Sequence, residues 1–283
     1  MASLRETKNR IASVRSTLKI TSAMKLVASS KLRKAQKAIE NLRPYEEMLS
    51  DILVSLKGNL PLATELQPEE NEAPTKTLIV AIASNSSLCG GFNSNVIKKA
   101  LSEIGSCEGP VEVVSVGRKM ADAMRKAGYP SDADWSELVG HTTYEAASLL
   151  ARDISGRFFK GEFGRVVLVY NHFVSTSKQV PVVQTYLPFE MEDRENISDF
   201  SDYIIEPSAS EVVTRLLPQV LMMKFYAAIL DSLASEHAAR TVAMQAATDN
   251  GEDLLASLTL EYNKGRQQKI TSEILDLVAG AQQ

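Results

Sequence analysis

Few residues in this 283-residue chain have the types and spacing that chemistry needs. Cys89-Gly90-Gly91 follows a short apolar run, Thr77 to Ala83, and precedes a helix-like stretch from about Ser94 to Ile104. Phosphate-binding loops sit at such a place, where backbone N–H groups at a helix N-terminus face an anion. Neither GxGxxG nor GxxxxGK[ST] occurs, however, so a tight strand-to-helix turn is the plainer reading. The three histidines, His141, His172 and His237, are scattered, with no HExxH and no companion carboxylates at ligand spacing. His237 stands near Arg240 on a helical stretch, where packing or an interface suits it better than ligation. Cys89 and Cys107 fit neither CxxC nor a zinc spacing and read as reduced, buried thiols. There is no GxSxG elbow. The expectation is no catalytic residue, no metal, no cofactor and no bond chemistry.

Composition bounds the alternatives. Hydrophobic residues at 44% suffice for a core, and sparse aromatics at 6% with abundant Ala, Leu, Lys and Glu lean towards long helices. A net charge of -4 argues against a general affinity for nucleic acid. No run of about 18 apolar residues occurs, so no membrane span is expected.

The elements begin with one very long helix. Ser3-Leu4-Arg5-Glu6 reads as a capping box. Leu4, Ile11, Val14, Leu18, Met24, Ala28, Leu32, Ala35, Ile39, Leu42, Leu49, Ile52 and Leu56 then keep a near-heptad rhythm up to a stop at Gly58-Asn59. At 1.5 Å per residue this helix is about 80 Å long. Its first forty-odd residues are strongly basic (Arg5, Lys8, Arg10, Arg15, Lys19, Lys25, Lys31, Arg33, Lys34, Lys37, Arg43). Such a face is either simply solvated or a surface for an acidic protein partner. A transit-peptide reading fails because the apolar rhythm continues unbroken through the basic region.

Residues 59–76 read as a Pro-containing acidic linker. Strands are then expected over Thr77 to Ala83, Val111 to Val116, Arg165 to Phe173 and Gln179 to Leu187. The last two are joined by a loop of residues 174–178. Helices are expected over Ser94 to Ile104, Arg118 to Ala127 and Thr143 to Phe159, covering both faces of a small sheet. Ser208-Ala209-Ser210-Glu211 is a second capping box and opens a final helix of about 70 residues, on the order of 100 Å. Thr241, Met244, Thr248, Gly251, Leu255, Leu258 and Tyr262 form its seam, and Ala238, Ala239, Ala243, Ala246 and Ala247 keep one sector slim.

The fold expected is therefore an α/β domain inserted between two long terminal helices that form an antiparallel coiled coil. Residues 1–58 and 209–283 make the shaft, and residues 77–208 make a Rossmann-like foot. Pro44 and Pro218 should bend the pair at similar height. The second helix outruns the first by about 20 residues, or about 30 Å. Ile274, Leu277 and Val278 are then left without an internal partner, which implies a socket on another protein.

On these residues the chain resembles the gamma subunit of the F-type rotary ATP synthase, bacterial type. The likeness is carried in order by LRETKNRIASVRSTLKITSAMKLVASSKLRKAQ, LCGGFN, DYIIEP, SEHAARTVAMQAATDN and YNKGRQQKITSEI. The resemblance implies a central shaft that couples ion flow through the membrane c ring to ATP synthesis or hydrolysis in the alpha/beta hexamer. It implies alpha, beta, epsilon and the c ring as partners. It also implies a peripheral position on the cytoplasmic face of the bacterial inner membrane. By the same resemblance Met24 and Lys25 meet the beta subunit's lever loop. Arg240, Gln267, Thr271, Glu273, Ile274 and Leu277 are implied to contact the hexamer, and Tyr203, Ile204, Ile205 and Glu206 the c ring and epsilon.

Two departures stand out. The family commonly reads SDRGLCGGLN where this chain has Ser84-Asn85-Ser86-Ser87 before the LCGGFN motif, so any charge contact made there is lost. Gly265 replaces the usual alanine, at a helix cost of about 1 kcal/mol. The chloroplast redox-cysteine segment is missing, so no thiol switching is expected. Two other classes compete with this reading. A nucleotide-binding α/β enzyme with a coiled-coil hairpin would have to bind phosphate at Cys89-Gly90-Gly91. A nucleic-acid-binding coil would show steeply salt-dependent binding.

Overall fold

The computed structural model describes residues 4–56, 76–189, 205–206 and 208–280, with the side chains of 54–56, 209–210 and 278–280 excepted. The elements run α1 (Leu4–Leu56), β1 (Thr77–Ile82), α2 (Phe92–Ser106), β2 (Val111–Val116), α3 (Arg118–Lys126) and α4 (Ser136–Gly140). They continue with α5 (Tyr144–Phe159), β3 (Arg165–Ser175), β4 (Lys178–Leu187) and α6 (Ala209–Gly280). Helix α1 has 53 residues and α6 has 72, each with its proline inside it. At the start of α6 the Glu211 N–H donates to Ser208 Oγ at 3.3 Å, the forward half of the expected capping box. The residues of the linker, the Gly58-Asn59 stop and Ser3 of the first box lie outside the described residues.

The chain forms two compact units, Ser30–Ala239 and Met1–Ser29 with Arg240–Gln283. The division falls inside both long helices. The reason is packing. Leu49 and Leu53 of α1 and Val213 to Ile229 of α6 are buried in the same core as the sheet.

In the Ser30–Ala239 unit the sheet has the order β2-β1-β3-β4. β1 lies parallel to both β2 and β3, and β3 and β4 form an antiparallel hairpin. Every residue of β1 is buried, because both faces are covered. Leu78, Val80 and Ile82 face a core shared with α5, α6 and α1, whereas Ile79, Ala81 and Ala83 face α2 and α3. Within this unit α1 meets α6 through Leu32 and Ala35 against Ala234 and Ala238. α1 carries Pro44 and α6 carries Pro218 within this unit.

Two local expectations change. The hairpin is tighter than a five-residue loop, for β3 runs to Ser175 and β4 starts at Lys178. Polar side chains close the turn: Lys178 N–H donates to Ser175 Oγ at 3.1 Å, and Gln179 Nε2 donates to the Ser175 and Thr176 carbonyls. The stretch around Trp135 also holds a short helix, α4. Asp134 accepts the Ser136 N–H at 2.8 Å, a bond that holds its carboxyl below the usual range, and Leu138 and Val139 turn into the core.

In the other unit the ends of α1 and α6 run antiparallel. Lys25 Nζ donates to Gln245 Oε1 at 2.8 Å, and the Thr21 and Thr248 hydroxyls lie 3.0 Å apart. Leu18 packs over Gly251, and Leu4 over Gly265. All seven expected seam residues from Thr241 to Tyr262 are buried or half-buried. On α1 the seam also includes the buried Thr7, which an apolar count passes over. A Cβ at position 265 would stand 3.2 Å from Leu4 Cδ2, so Gly265 makes room for the last packed side chain of α1.

Although no membrane span was expected, α6 includes an 18-residue window apolar enough by composition to cross a bilayer. Half of that window is buried inside the fold, as in a core helix.

Candidate functional site

The first candidate is the end of α6. Its described partner ends at Leu4, level with Gly265, and α6 continues to Gly280, about 22 Å further at 1.5 Å per residue. On this extension Ile270, Ile274, Leu275 and Leu277 are 46%, 55%, 63% and 74% exposed. Such a cluster is costly to leave in water and marks a surface that another molecule covers. Gln267, Thr271 and Glu273 are exposed beside it. Thr271 donates its hydroxyl to the Gln267 carbonyl at 2.9 Å, and Glu273 lies 3.6 Å from Lys269. The side chain of Val278 lies outside the described residues.

The second candidate is a stripe on α1. Thr21, Lys25 and Ala28 lie along the seam, and Met24, which the apolar rhythm placed there, is half-buried as Thr21 and Lys25 are. Lys25 fits because its aliphatic stem can lie along the seam while its ammonium reaches Gln245. Ile20, Met24 and Val27, at i, i+4 and i+7, share a face, with Ile20 and Val27 each 57% exposed. Leu26 beside them is 69% exposed. The basic residues of α1 named above are exposed apart from the half-buried Lys25. Arg240 differs from the rest of the expected contacts: it is 8% exposed, a buried cation at the end of a run of α6 buried from Ala234 onward. In the expected foot contacts, Ile205 packs against the core and Glu206 is exposed. Tyr203 and Ile204 lie outside the described residues.

Several polar groups of the turn after β1 bond within it. Asn93 Oδ1 accepts from Ser84 N at 3.0 Å, and Asn93 Nδ2 points at Cys89 Sγ at 3.2 Å. Cys89 and Phe92 are buried against Ala239 of α6. Asn85 stands beyond the carboxyl ends of the strands, donating from Nδ2 to the Ser136 carbonyl at 2.7 Å and accepting the Arg118 N–H at 3.0 Å. Asn85 thus ties the turn after β1 to the starts of α3 and α4. Asn85→Asp keeps the acceptor but loses the donor and sets a charge against a carbonyl. It should cost about 1–3 kcal/mol in urea unfolding with an unchanged slope.

A second concavity, about 350 Å³, runs along the β2 edge. Three of its charged groups are paired: Glu112 lies 2.6 Å from Lys76 and 2.7 Å from Arg157, and Arg157 also lies 2.8 Å from Glu162. Burial alone would raise the Glu112 carboxyl, but the two cations together hold it below the usual range. Among the described residues no group of three or more His, Cys, Asp or Glu side chains is placed to hold a metal ion.

These features define a class: a chain whose two ends pair antiparallel, whose middle is a mixed α/β sheet, and whose longer helix displays an uncovered apolar end. A family profile described as ATP synthase matches residues 3–283. The ATP synthase gamma chain of Phocaeicola vulgatus is 47% identical over 99% of both chains. That of Bacteroides thetaiotaomicron is 44% identical over the full length of both. In fold the chain is similar to a chain of the Tetrahymena thermophila mitochondrial ATP synthase central stalk and c ring (TM-score 0.60, 24% identity, 81% of this chain and 99% of that one). It is also similar to one in the Euglena gracilis mitochondrial ATP synthase (TM-score 0.63, 17% identity, 99% and 93%). The chain belongs to the ATP synthase gamma chain family.

Proposed function

We propose that this chain is the central rotor shaft of a bacterial ATP synthase and performs no bond chemistry itself. It couples ion flow through the c ring to nucleotide turnover in an alpha/beta hexamer. One shaft makes unequal contacts with three equivalent catalytic subunits, so each rotary position favours a different set of their conformations. The observation that carries this reading is the uncovered end of α6, where Ile270, Ile274, Leu275 and Leu277 need an apolar collar. Gln267, Thr271 and Glu273 would meet the hexamer at its rim. The Ile20–Met24–Val27 stripe and Lys25, set in a basic helix, suit a lever that presents carboxylates with apolar neighbours. Arg240, being buried, supports the packing of α6 rather than a presented contact. The foot, with Tyr203, Ile204, Ile205 and Glu206, stands on the c ring beside epsilon, and the assembly is peripheral to the cytoplasmic face of the inner membrane.

The direct test is co-purification: one copy of this chain should come out with three alpha and three beta subunits. Recovery of the chain as a stable species that binds no alpha/beta hexamer would overturn the reading. Within the complex, Met24→Lys adds a cation to the apolar stripe. It would pair with a lever carboxylate in some rotary positions and not in others, and ion pumping per ATP in membrane vesicles should fall while ATP turnover continues. Pumping per ATP equal to that of the unaltered complex would remove Met24 from the coupling surface.

A further inference from the structure

The joint between the sheet and α6 has an unusual fastening. Asp231 of α6 holds two successive residues of β3: its Oδ1 accepts the Phe173 N–H at 2.8 Å, and its Oδ2 lies 2.5 Å from His172 Nδ1. The carboxylate is largely out of solvent, with its side chain 18% exposed, while His172 is 52% exposed and open to exchange protons with water. The two groups line a cleft of about 250 Å³. Facing them are Arg43 and Glu46 from α1, Lys224 from α6, Tyr170 from β3 and the neutral Gln184 from β4, to which the Tyr170 hydroxyl donates at 3.0 Å. Among these residue types histidine is the one whose charge ordinarily changes between pH 5 and 8.

We propose that His172 and Asp231 form a proton-held tie between the sheet and helix α6, firm while the pair carries a shared proton and slacker once that proton is lost. With the proton present, the contact is an ion pair hydrogen-bonded to a desolvated carboxylate, the arrangement in which charge assistance counts most. Without it, the neutral ring can still donate from Nδ1, but the charge that offset the burial of Asp231 is gone.

Burial raises the Asp231 carboxyl above its ordinary range, against the lowering pull of His172, the Phe173 N–H and Arg43. The sign over neutral pH follows from the residue type that faces it: a histidine ordinarily carries its charge at the acid end of pH 5–8 and not at the alkaline end, and a cation offsets the buried carboxylate. The joint is firmer at pH 6 than at pH 8. Burial pushes the Tyr170 phenol upward, further from this window.

The experiment is amide hydrogen exchange on the full-length chain at pH 6 and pH 8, corrected for the intrinsic chemical rate. The readout is the segment containing Phe173, whose N–H Asp231 itself binds. Protection should be at least about threefold greater at pH 6, as expected where a charge-assisted hydrogen bond takes the place of a neutral one. His172→Lys, a fixed cation on a half-exposed position, should hold the pH 6 level of protection at pH 8. His172→Gln should give low protection at both, and Asp231→Asn should lose protection together with its pH dependence. Equal protection of the unaltered chain at both pH values overturns the proposal. So does a pH dependence that survives in His172→Gln, since another group would then be titrating.

Discussion

Replacing Gly117 by alanine is expected to remove about 2–6 kcal/mol of unfolding free energy, a large share of the 5–15 kcal/mol typical of a domain. Gly117 joins β2 to α3 with φ +97° and ψ 142°, a region that side chains other than glycine's hardly enter. An added Cβ would stand 2.1 Å from the Ala83 carbonyl oxygen, which is backbone and has nowhere to go. Ala83 and its neighbour are pinned there by Ala83 N–H to the Val116 carbonyl at 2.9 Å and Lys119 N–H to the Ser84 carbonyl at 3.1 Å. Strain of about 1–3 kcal/mol adds to a packing displacement of about 1–3 kcal/mol. Gly128→Ala is the control, for Gly128 also has a positive φ (+90°) but no atom within 4 Å of an added Cβ. Urea unfolding of the two variants separates the terms. A Gly117→Ala cost no greater than that of Gly128→Ala would mean that the contact with Ala83 is relieved cheaply.

The second large effect should fall on assembly and spare the fold. Ile274→Asp with Leu277→Asp changes two exposed side chains, so the unfolding free energy of the chain alone should stay within about 0.5 kcal/mol. If those side chains enter an apolar collar, each loses about 1.5–3 kcal/mol of burial and places a carboxylate in an apolar setting. Affinity for the alpha/beta hexamer should fall by at least about 100-fold, as a titration of labelled chain would read. Gln268→Asp, an exposed polar position on the same extension, should bind within about threefold of the unaltered chain. Unchanged affinity in the double variant would show that the end of α6 stands in water in the complex too.

The Gly117 and Ile274–Leu277 positions also show how differently sequence and structure inform. The exposed end of α6 was legible early, because it needs only a seam longer than its partner can cover. Gly117 was not, because nothing local to Val116-Gly117-Arg118 reveals that Ala83 crosses beneath it. Met24 fell between these cases. An apolar rhythm assigned it to the seam, where it is half-buried, but passed over Thr21 and Lys25, each able to bury a methyl or a stem while its polar atom finds a partner. The candidate contacts named from resemblance divided on burial alone: Gln267, Thr271, Glu273, Ile274 and Leu277 are presented, whereas Arg240 is enclosed.

By itself, the sequence determined the two long helices, the strand and helix alternation between them, and the seam from Thr241 to Tyr262. These follow from periodicity, and a period of 3.5 or 2 is written in the chain whether or not it has folded. Tertiary structure decided the rest: which distant backbone groups Asn85 ties together, why Gly265 suits Leu4, how closely β3 and β4 zip to Ser175 and Lys178, and that Asp231 finds His172. Each depends on atoms from distant segments meeting at one distance, and no local pattern encodes a distance between elements.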